Sequence, residues 1–248
     1  MLEFDRLLDG KVAVITGAGR GIGRAIAIAY AHAGASVVCS ARSESEIKET
    51  AATITSKGGC STHCVTDVTD VASTTALFAH VVKSFGGLDI VVANAGTAGE
   101  TASVEASEPD SWRATIDVNL VGGYHTARAA IPALRRRGAG KIIFIGSGMG
   151  HRGAPARSAY CVSKTGIWML TRILAQELAP YGICVNELVP GPVKTDLIRG
   201  RERALSAASG GGEWFKRPED VTPLALFLAS QPRDGPTGQT FSLARREL

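Results

Sequence analysis

The chain lacks the marks of several large classes of protein. No run of about 18 consecutive apolar residues occurs, so no transmembrane helix is expected. The opening residues Met1 to Arg6 mix charges and carry no apolar h-region, which argues against a secretory signal. There is no C-x-x-C pair. The five cysteines (Cys39, Cys60, Cys64, Cys161 and Cys184) are odd in number, and the pair Cys60 and Cys64 has no second pair to complete a zinc set. Reduced thiols in a cytoplasmic protein, with no metal, are the expectation. Charge of one sign is also lacking: 27 Lys and Arg stand against 23 Asp and Glu, a net +4, and they are scattered. That is too weak a field to suggest nucleic acid. The one basic run, Arg135 to Arg137, ends a helical pattern just before Gly138, where cations suit the helix dipole. Internal repeats and low-complexity linkers are missing as well.

At 248 residues, 45% apolar and 20% charged, the chain has ordinary globular usage and enough length for a large core. It has 29 glycines without a G-X-Y period, which suggests tight turns and close backbone approaches. Short apolar runs alternate with helical patterns. The runs are 12–15, 37–39, 62–65, 90–93, 142–145, 184–189 and 240–243. The helical stretches are 21–33, 45–56, 71–85, a long one around 109–137, 159–179, 197–205 and 218–229. The apolar runs read as continuous rather than alternating, as in strands covered on both faces. The expected fold is α/β: a single doubly wound parallel sheet of about seven strands with helices on both faces. Gly34 reads as a helix stop, and Asp70 or Ser45 as an N-cap. One domain spanning 1–248 is expected.

The first strand runs into Thr16-Gly17-Ala18-Gly19-Arg20-Gly21-Ile22-Gly23, and a helix follows at once. The spacing is G-x-x-x-G-x-G rather than G-x-G-x-x-G. A glycine turn feeding a helix N-terminus gathers free N–H groups and the positive end of the dipole, which suits a pyrophosphate. Dinucleotide folds often place an acid at the end of the second strand to bind ribose hydroxyls. Here that strand ends in Ser40-Ala41-Arg42-Ser43, with no acid. Arg42 and Arg20 would suit a 2′-phosphate, so the expected cofactor is NADP(H), with NAD(H) the alternative. Arg42 read as a plain surface charge is the competing view.

Tyr160 and Lys164 are four apart in a helical run, hence on one face. An ammonium beside a phenol favours the phenolate and makes tyrosine a usable acid and base near neutrality. Ser147 follows a strand and lies thirteen residues upstream of Tyr160. Together with Asp67-Val68, Asn94-Ala95-Gly96, Asn119 and the segment Pro190-Gly191-Pro192-Val193-Lys194-Thr195, these motifs make the chain resemble the short-chain dehydrogenases/reductases. The likeness runs over residues from about 9 to 241, in the branch of 3-oxoacyl-carrier-protein reductases. The resemblance implies roles. Tyr160 would exchange the proton at the substrate oxygen, Lys164 would hold the nicotinamide ribose, Ser147 would hold the carbonyl or hydroxyl, and Asn119 would complete a water relay. Asn119 as an ordinary helical asparagine is the other reading. Gly17, Gly19, Arg20, Gly21, Ile22, Gly23, Arg42, Asp67, Val68, Asn94, Gly96, Tyr160, Lys164, Pro190, Gly191, Val193 and Thr195 would meet or support the cofactor. The implied partner is a small carbonyl or alcohol substrate, with a homodimer or homotetramer as the assembly.

His151 reads as a solvated loop residue or as an edge of the substrate pocket. Met149, Trp214 and Phe215 read as apolar pocket walls, with core packing the alternative for Trp214. A substrate lid is expected at 197–215. Cys161 should be buried and inert. The tail 243–248 departs from the glycine-containing finish usual in the family, which leaves one pocket wall and the subunit arrangement open. The competing functions are a nucleotide-binding scaffold without turnover and, through Arg135–Arg137, a nucleic-acid-binding protein.

Overall fold

A computed structural model describes residues 6–196 and 214–245. Seven strands form one sheet, all neighbours parallel, in the order β3-β2-β1-β4-β5-β6-β7. They are β1 (Val12–Thr16), β2 (Ser36–Ala41), β3 (Cys60–Val65), β4 (Ile90–Ala93), β5 (Gly140–Ile145), β6 (Ile183–Val189) and β7 (Thr240–Ser242). The order reverses between β1 and β4. In open α/β sheets the crevice beyond the carboxyl ends of the strands at such a switch is where ligands bind.

The longer helices are α1 (Gly21–His32), α2 (Glu44–Thr55), α3 (Val71–Phe85), α4 (Pro109–Ile116), α5 (Gly122–Arg137), α7 (Ser158–Leu178) and α8 (Thr222–Ser230). A four-residue helix, α6 (Met149–Arg152), precedes α7. Alternate residues of one strand feed opposite faces of the sheet. Ala13 and Ile15 join Ile26, Tyr30, Ile143, Leu188 and Leu228 under α1 and α8. Val12 and Val14 join Leu77, Val91, Leu134, Phe144 and Leu174 under α3, α5 and α7. The Tyr30 hydroxyl donates to the Ala225 carbonyl at 2.8 Å and ties α1 to α8.

The local signals act as expected at most ends. The Asp70 side chain accepts from the Ala72 N–H and caps α3, and Gly34 follows α1 with φ +95. α5 ends at Gly138 in the left-handed region after three arginines. One of these, Arg137, pairs with Asp89, and another, Arg135, stacks on Tyr181.

Three expectations need correction. Ser45 is not a cap: α2 begins at Glu44, so Ser45 lies inside it. The stretch 109–137 is not one regular helix, because a π turn at Asp117–Val121 separates α4 from α5. The strands are not uniformly apolar and covered: β3 is an edge strand with partly exposed residues throughout, and β7 at the other edge is similar. β6, next to the β7 edge, carries Asn186 and Glu187 in its run, both buried. The expected helix at 197–205 lies outside the described residues, as does the expected lid except for Trp214 and Phe215.

Candidate active site

The glycine turn joins β1 to α1. Gly17 and Gly21 have φ of +67 and +55, the left-handed region that side chains avoid. Asn94, just past β4, donates from Nδ2 to the carbonyls of Thr16 and Gly17 at 2.9 and 3.2 Å. Thr16 Oγ1 accepts from the N–H groups of Asn94 and Ala95, both at 3.1 Å. Asn94 thus fastens the turn to β4 across the switch point. A Cβ on Gly23 would strike the Gly17 carbonyl and the Asn94 amide, so this packing needs glycine. Arg20 at the α1 N-cap makes no side-chain cap bond, and no acid stands in the first turn. That leaves the dipole end uncapped by any carboxylate of its own, which suits an anion.

The segment after β6 comes back to this turn. Gly191 has φ +67, Val193 bridges to Lys216, and the Thr195 methyl lies where a Cβ on Gly21 would meet it. Thr195, at the end of the segment that carries Pro190, Gly191 and Val193, therefore stands beside Gly21. Arg20 is mostly exposed and lies 3.6 Å from both Glu46 and Asp196. Arg42 is exposed just past β2. Asp67 accepts from the Thr69 N–H and hydroxyl, and these bonds, with help from Arg42, hold its carboxyl below the usual range. Val68 is buried against Gly122, and its carbonyl meets His125 Nδ1 at 3.0 Å.

The catalytic candidates gather at the carboxyl ends of β4 and β5. Ser147 lies beside the Tyr160 phenol, near enough to lower its pKa. Lys164 Nζ donates to the Ile145 carbonyl at 2.7 Å and lies 5.9 Å from the Tyr160 ring centroid. Asn119 sits in the π turn, a kind of irregularity frequent at functional sites. Its Oδ1 accepts from the Thr97 N–H at 2.7 Å, and its Nδ2 donates to the Thr97 carbonyl and to Ser163 Oγ at 3.0 and 3.1 Å. Ser163 in turn donates to the Tyr160 carbonyl. Gly96 leaves the space between Asn119 Oδ1 and Lys164 Nζ open. A small hollow is bordered by Thr16, Ala95, Asn119 and Lys164.

Burial sets the electrostatics. It raises the Tyr160 phenol above its ordinary pKa, with Ser147 and Arg157 pulling the other way. Burial lowers Lys164 to about 8, opposed by the Glu187 carboxylate. The expected lowering of the phenol by the ammonium is therefore not what dominates, because the ammonium is turned to the Ile145 carbonyl. His151 is neither in a loop nor solvated: it belongs to α6, pairs with Glu187 at 3.0 Å and packs edge-on against Trp168. Trp214 is 43% exposed, so it is not core; it meets Lys216 and Arg245 across its ring. Met149 and Phe215 are half-buried. Cys161 is buried and its thiol is raised by burial, which fits an inert group. Sequence reasoning missed Thr97 and Ser163, which hold Asn119, and Glu187, whose signal was a carboxylate inside an apolar strand run.

A glycine-turn crevice at the switch point of a doubly wound parallel sheet, beside a half-buried tyrosine and a buried lysine, defines a nucleotide-dependent α/β enzyme class. The short chain dehydrogenase family matches residues 11–205. The trans-4-hydroxycyclohexanecarboxylate dehydrogenase of Sinomonas cyclohexanicum is 37% identical over 96% of this chain and 93% of that protein. The 3-oxoacyl-(acyl-carrier-protein) reductase FabG of Thermotoga maritima is 33% identical over 95% and 97%. The crystal structure of a putative NAD(P)-dependent gluconate 5-dehydrogenase from Beutenbergia cavernae, with bound NADP at low occupancy, superposes with a TM-score of 0.87 at 34% identity, covering 96% of both chains. The chain belongs to the short-chain dehydrogenase/reductase family and is an oxidoreductase of that family. No helix among the described residues is long and apolar enough to cross a membrane.

Proposed function

We propose that this protein transfers hydride between NADP(H) and a carbonyl or secondary alcohol through Ser147, Tyr160, Lys164 and Asn119. The observation that carries the reading is the buried Lys164, bonded to the Ile145 carbonyl at 2.7 Å and 5.9 Å from the Tyr160 ring, with Ser147 just past the end of β5. When bound, the cofactor supplies or accepts the hydride. The residues do the rest. Gly17, Gly19, Gly21, Ile22 and Gly23 line the turn and the α1 N-terminus for the pyrophosphate, and Asn94 and Gly96 keep that turn against β4. Asp67 and Val68 flank the adenine, and Pro190, Gly191, Val193 and Thr195 border the nicotinamide. Tyr160 and Ser147 aim hydroxyl donors at the substrate oxygen, where negative charge develops during reduction. Lys164 holds a ribose hydroxyl and steadies the phenolate after the proton leaves. Asn119, fixed by Thr97 and Ser163, borders the hollow through which a proton reaches Lys164.

The preference for the 2′-phosphorylated cofactor rests on Arg42 and Arg20, both exposed on the rim of the glycine turn, and on the lack of an acid at the end of β2. Glu46 and Asp196, both beside Arg20, oppose it. The named relatives act on hydroxy acids or acyl thioesters, which supports a carbonyl or alcohol substrate. One nucleotide-binding and catalytic domain, with a lid over 197–215, a cytoplasmic location and a symmetric dimer or tetramer complete the reading. Parallel fluorescence titrations with NADPH and NADH at fixed salt test it. Much tighter NADPH binding supports the cofactor assignment; equal or tighter NADH binding sinks it and leaves Arg42 a surface charge.

A further inference from the structure

Glu187 lies inside β6 and is fully buried, at 0% exposure. It stands in register with Phe144 of β5 and reaches into the layer between the sheet and α6–α7. One oxygen, Oε2, accepts from Thr240 Oγ1 at 2.7 Å and meets His151 Nε2 at 3.0 Å. The other, Oε1, is buried and makes no hydrogen bond among the described residues. It presses on Gly146, where any Cβ would overlap it. Gly146 separates Ile145, whose carbonyl holds Lys164 Nζ, from Ser147. His151 is four residues past Ser147, in the turn that also bonds Met149 N–H to Ser147 Oγ at 3.2 Å. One carboxylate thus touches the chain on both sides of Ser147.

Leaving a carboxylate in such a place is costly unless fixed donors and a cation offset it. An apolar side chain would fill the space without that cost, so packing alone gives no reason for a glutamate. We infer that Glu187 is a positioning residue of the proposed reaction: through His151 it ties α6, and with it Ser147, to the sheet, and its negative charge lies against the Ile145–Gly146 backbone that holds Lys164. The inference rests on the oxidoreductase reading for what Ser147 and Lys164 do. Its electrostatic side agrees with the direction in which Glu187 acts on Lys164, upward against burial. The titratable groups that face this carboxylate are His151 from α6, in contact, and Lys164 from α7, which feels its charge. Phe144 and Gly146 from β5 and Thr240 from β7 carry no charge.

The test compares the wild type with Glu187→Gln, which keeps the shape and an acceptor for Thr240 but removes the charge. Two pH series are read: NADPH dissociation constants, which need the ammonium but no turnover, and kcat/KM for reduction. Deleting a nearby negative charge lowers the pKa of its cationic neighbour. Both the alkaline loss of NADPH affinity and the alkaline limb of kcat/KM should therefore move down by about one pH unit in Glu187→Gln. His151→Gln keeps the carboxylate. It should leave the binding transition in place or raise it, while kcat falls severalfold from a looser Ser147. Unmoved transitions in Glu187→Gln, or a downward move in His151→Gln, would overturn the inference. If Glu187→Gln does not fold, His151→Gln decides by the same direction. Wild-type protein that binds NADPH but reduces no carbonyl refutes the reaction, while the binding series still judges Glu187.

Discussion

The two halves of the crevice are built by different means. On the nucleotide side, around β1, β2 and β4, contacts are made by backbone and by neutral side chains: Asn94 on the Thr16 and Gly17 carbonyls, and Thr16 on the amides of Asn94 and Ala95. The charges there, Arg20 and Arg42, stay exposed on the rim. On the catalytic side, around β5, β6 and α7, charges go inside. Lys164 is 6% exposed and Glu187 is not exposed at all. A site that only holds an anion can leave its cations in water and use glycine and the helix dipole. A site that must move a proton needs groups whose pKa values are shifted, and burial is the means. The first half is cheap in stability and the second is not.

The largest effect that would test this contrast comes from the catalytic side. Tyr160→Phe should lower turnover by about 10²–10⁴-fold, with NADPH affinity in a titration changed by less than about twofold. A variant that keeps near-native rates would remove Tyr160 from the chemistry. Lys164→Met should also abolish reduction, and the wild type should gain stability as the pH rises above 8. The sign follows from the shift. The folded-state pKa of about 8 lies below the ordinary value of about 10.4. Folding therefore works against the ammonium, fully below pH 8, and that penalty is relieved as pH rises through 8 toward the unfolded value. Denaturant unfolding of the wild type should show a gain on the order of 1–3 kcal/mol between pH 8 and pH 10.

On the nucleotide side the effects should be smaller and confined to one cofactor. Arg42→Ala should weaken NADPH binding by roughly 10-fold, the scale of one charge-assisted hydrogen bond, and leave NADH binding unchanged. Weaker binding of both would place Arg42 elsewhere in the site. The smallest effect lies outside both halves. Asp70→Ala removes the α3 cap and should cost about 1 kcal/mol of stability with no change in kcat or in either cofactor's affinity.

The same contrast explains what could be read from the sequence. The alternation of strands and helices, the glycine turn and the Tyr160–Lys164 spacing are local patterns, and the sheet and site follow them closely. α3 matches its expected bounds of Val71–Phe85, and β4 its expected Ile90–Ala93. What escaped depends on long-range packing. The π turn that carries Asn119 has no periodicity signal, and its asparagine is set by Thr97 and Ser163, 22 and 44 residues away. His151 looked like a loop residue because its partner, Glu187, is 36 residues downstream. The orientation of Lys164 toward the Ile145 carbonyl rather than the phenol is likewise a tertiary fact.

The most direct test of the central claim is hydride tracing. NADPH carrying deuterium at C4 is incubated with a panel of ketones, hydroxy-acid precursors and acyl thioesters, with wild-type protein and Tyr160→Phe in parallel. The account predicts deuterium on the carbinol carbon of at least one product with the wild type, in a single stereochemical sense, and none with the variant. Equal labelling by both proteins, or none by either while NADPH is bound, would contradict it.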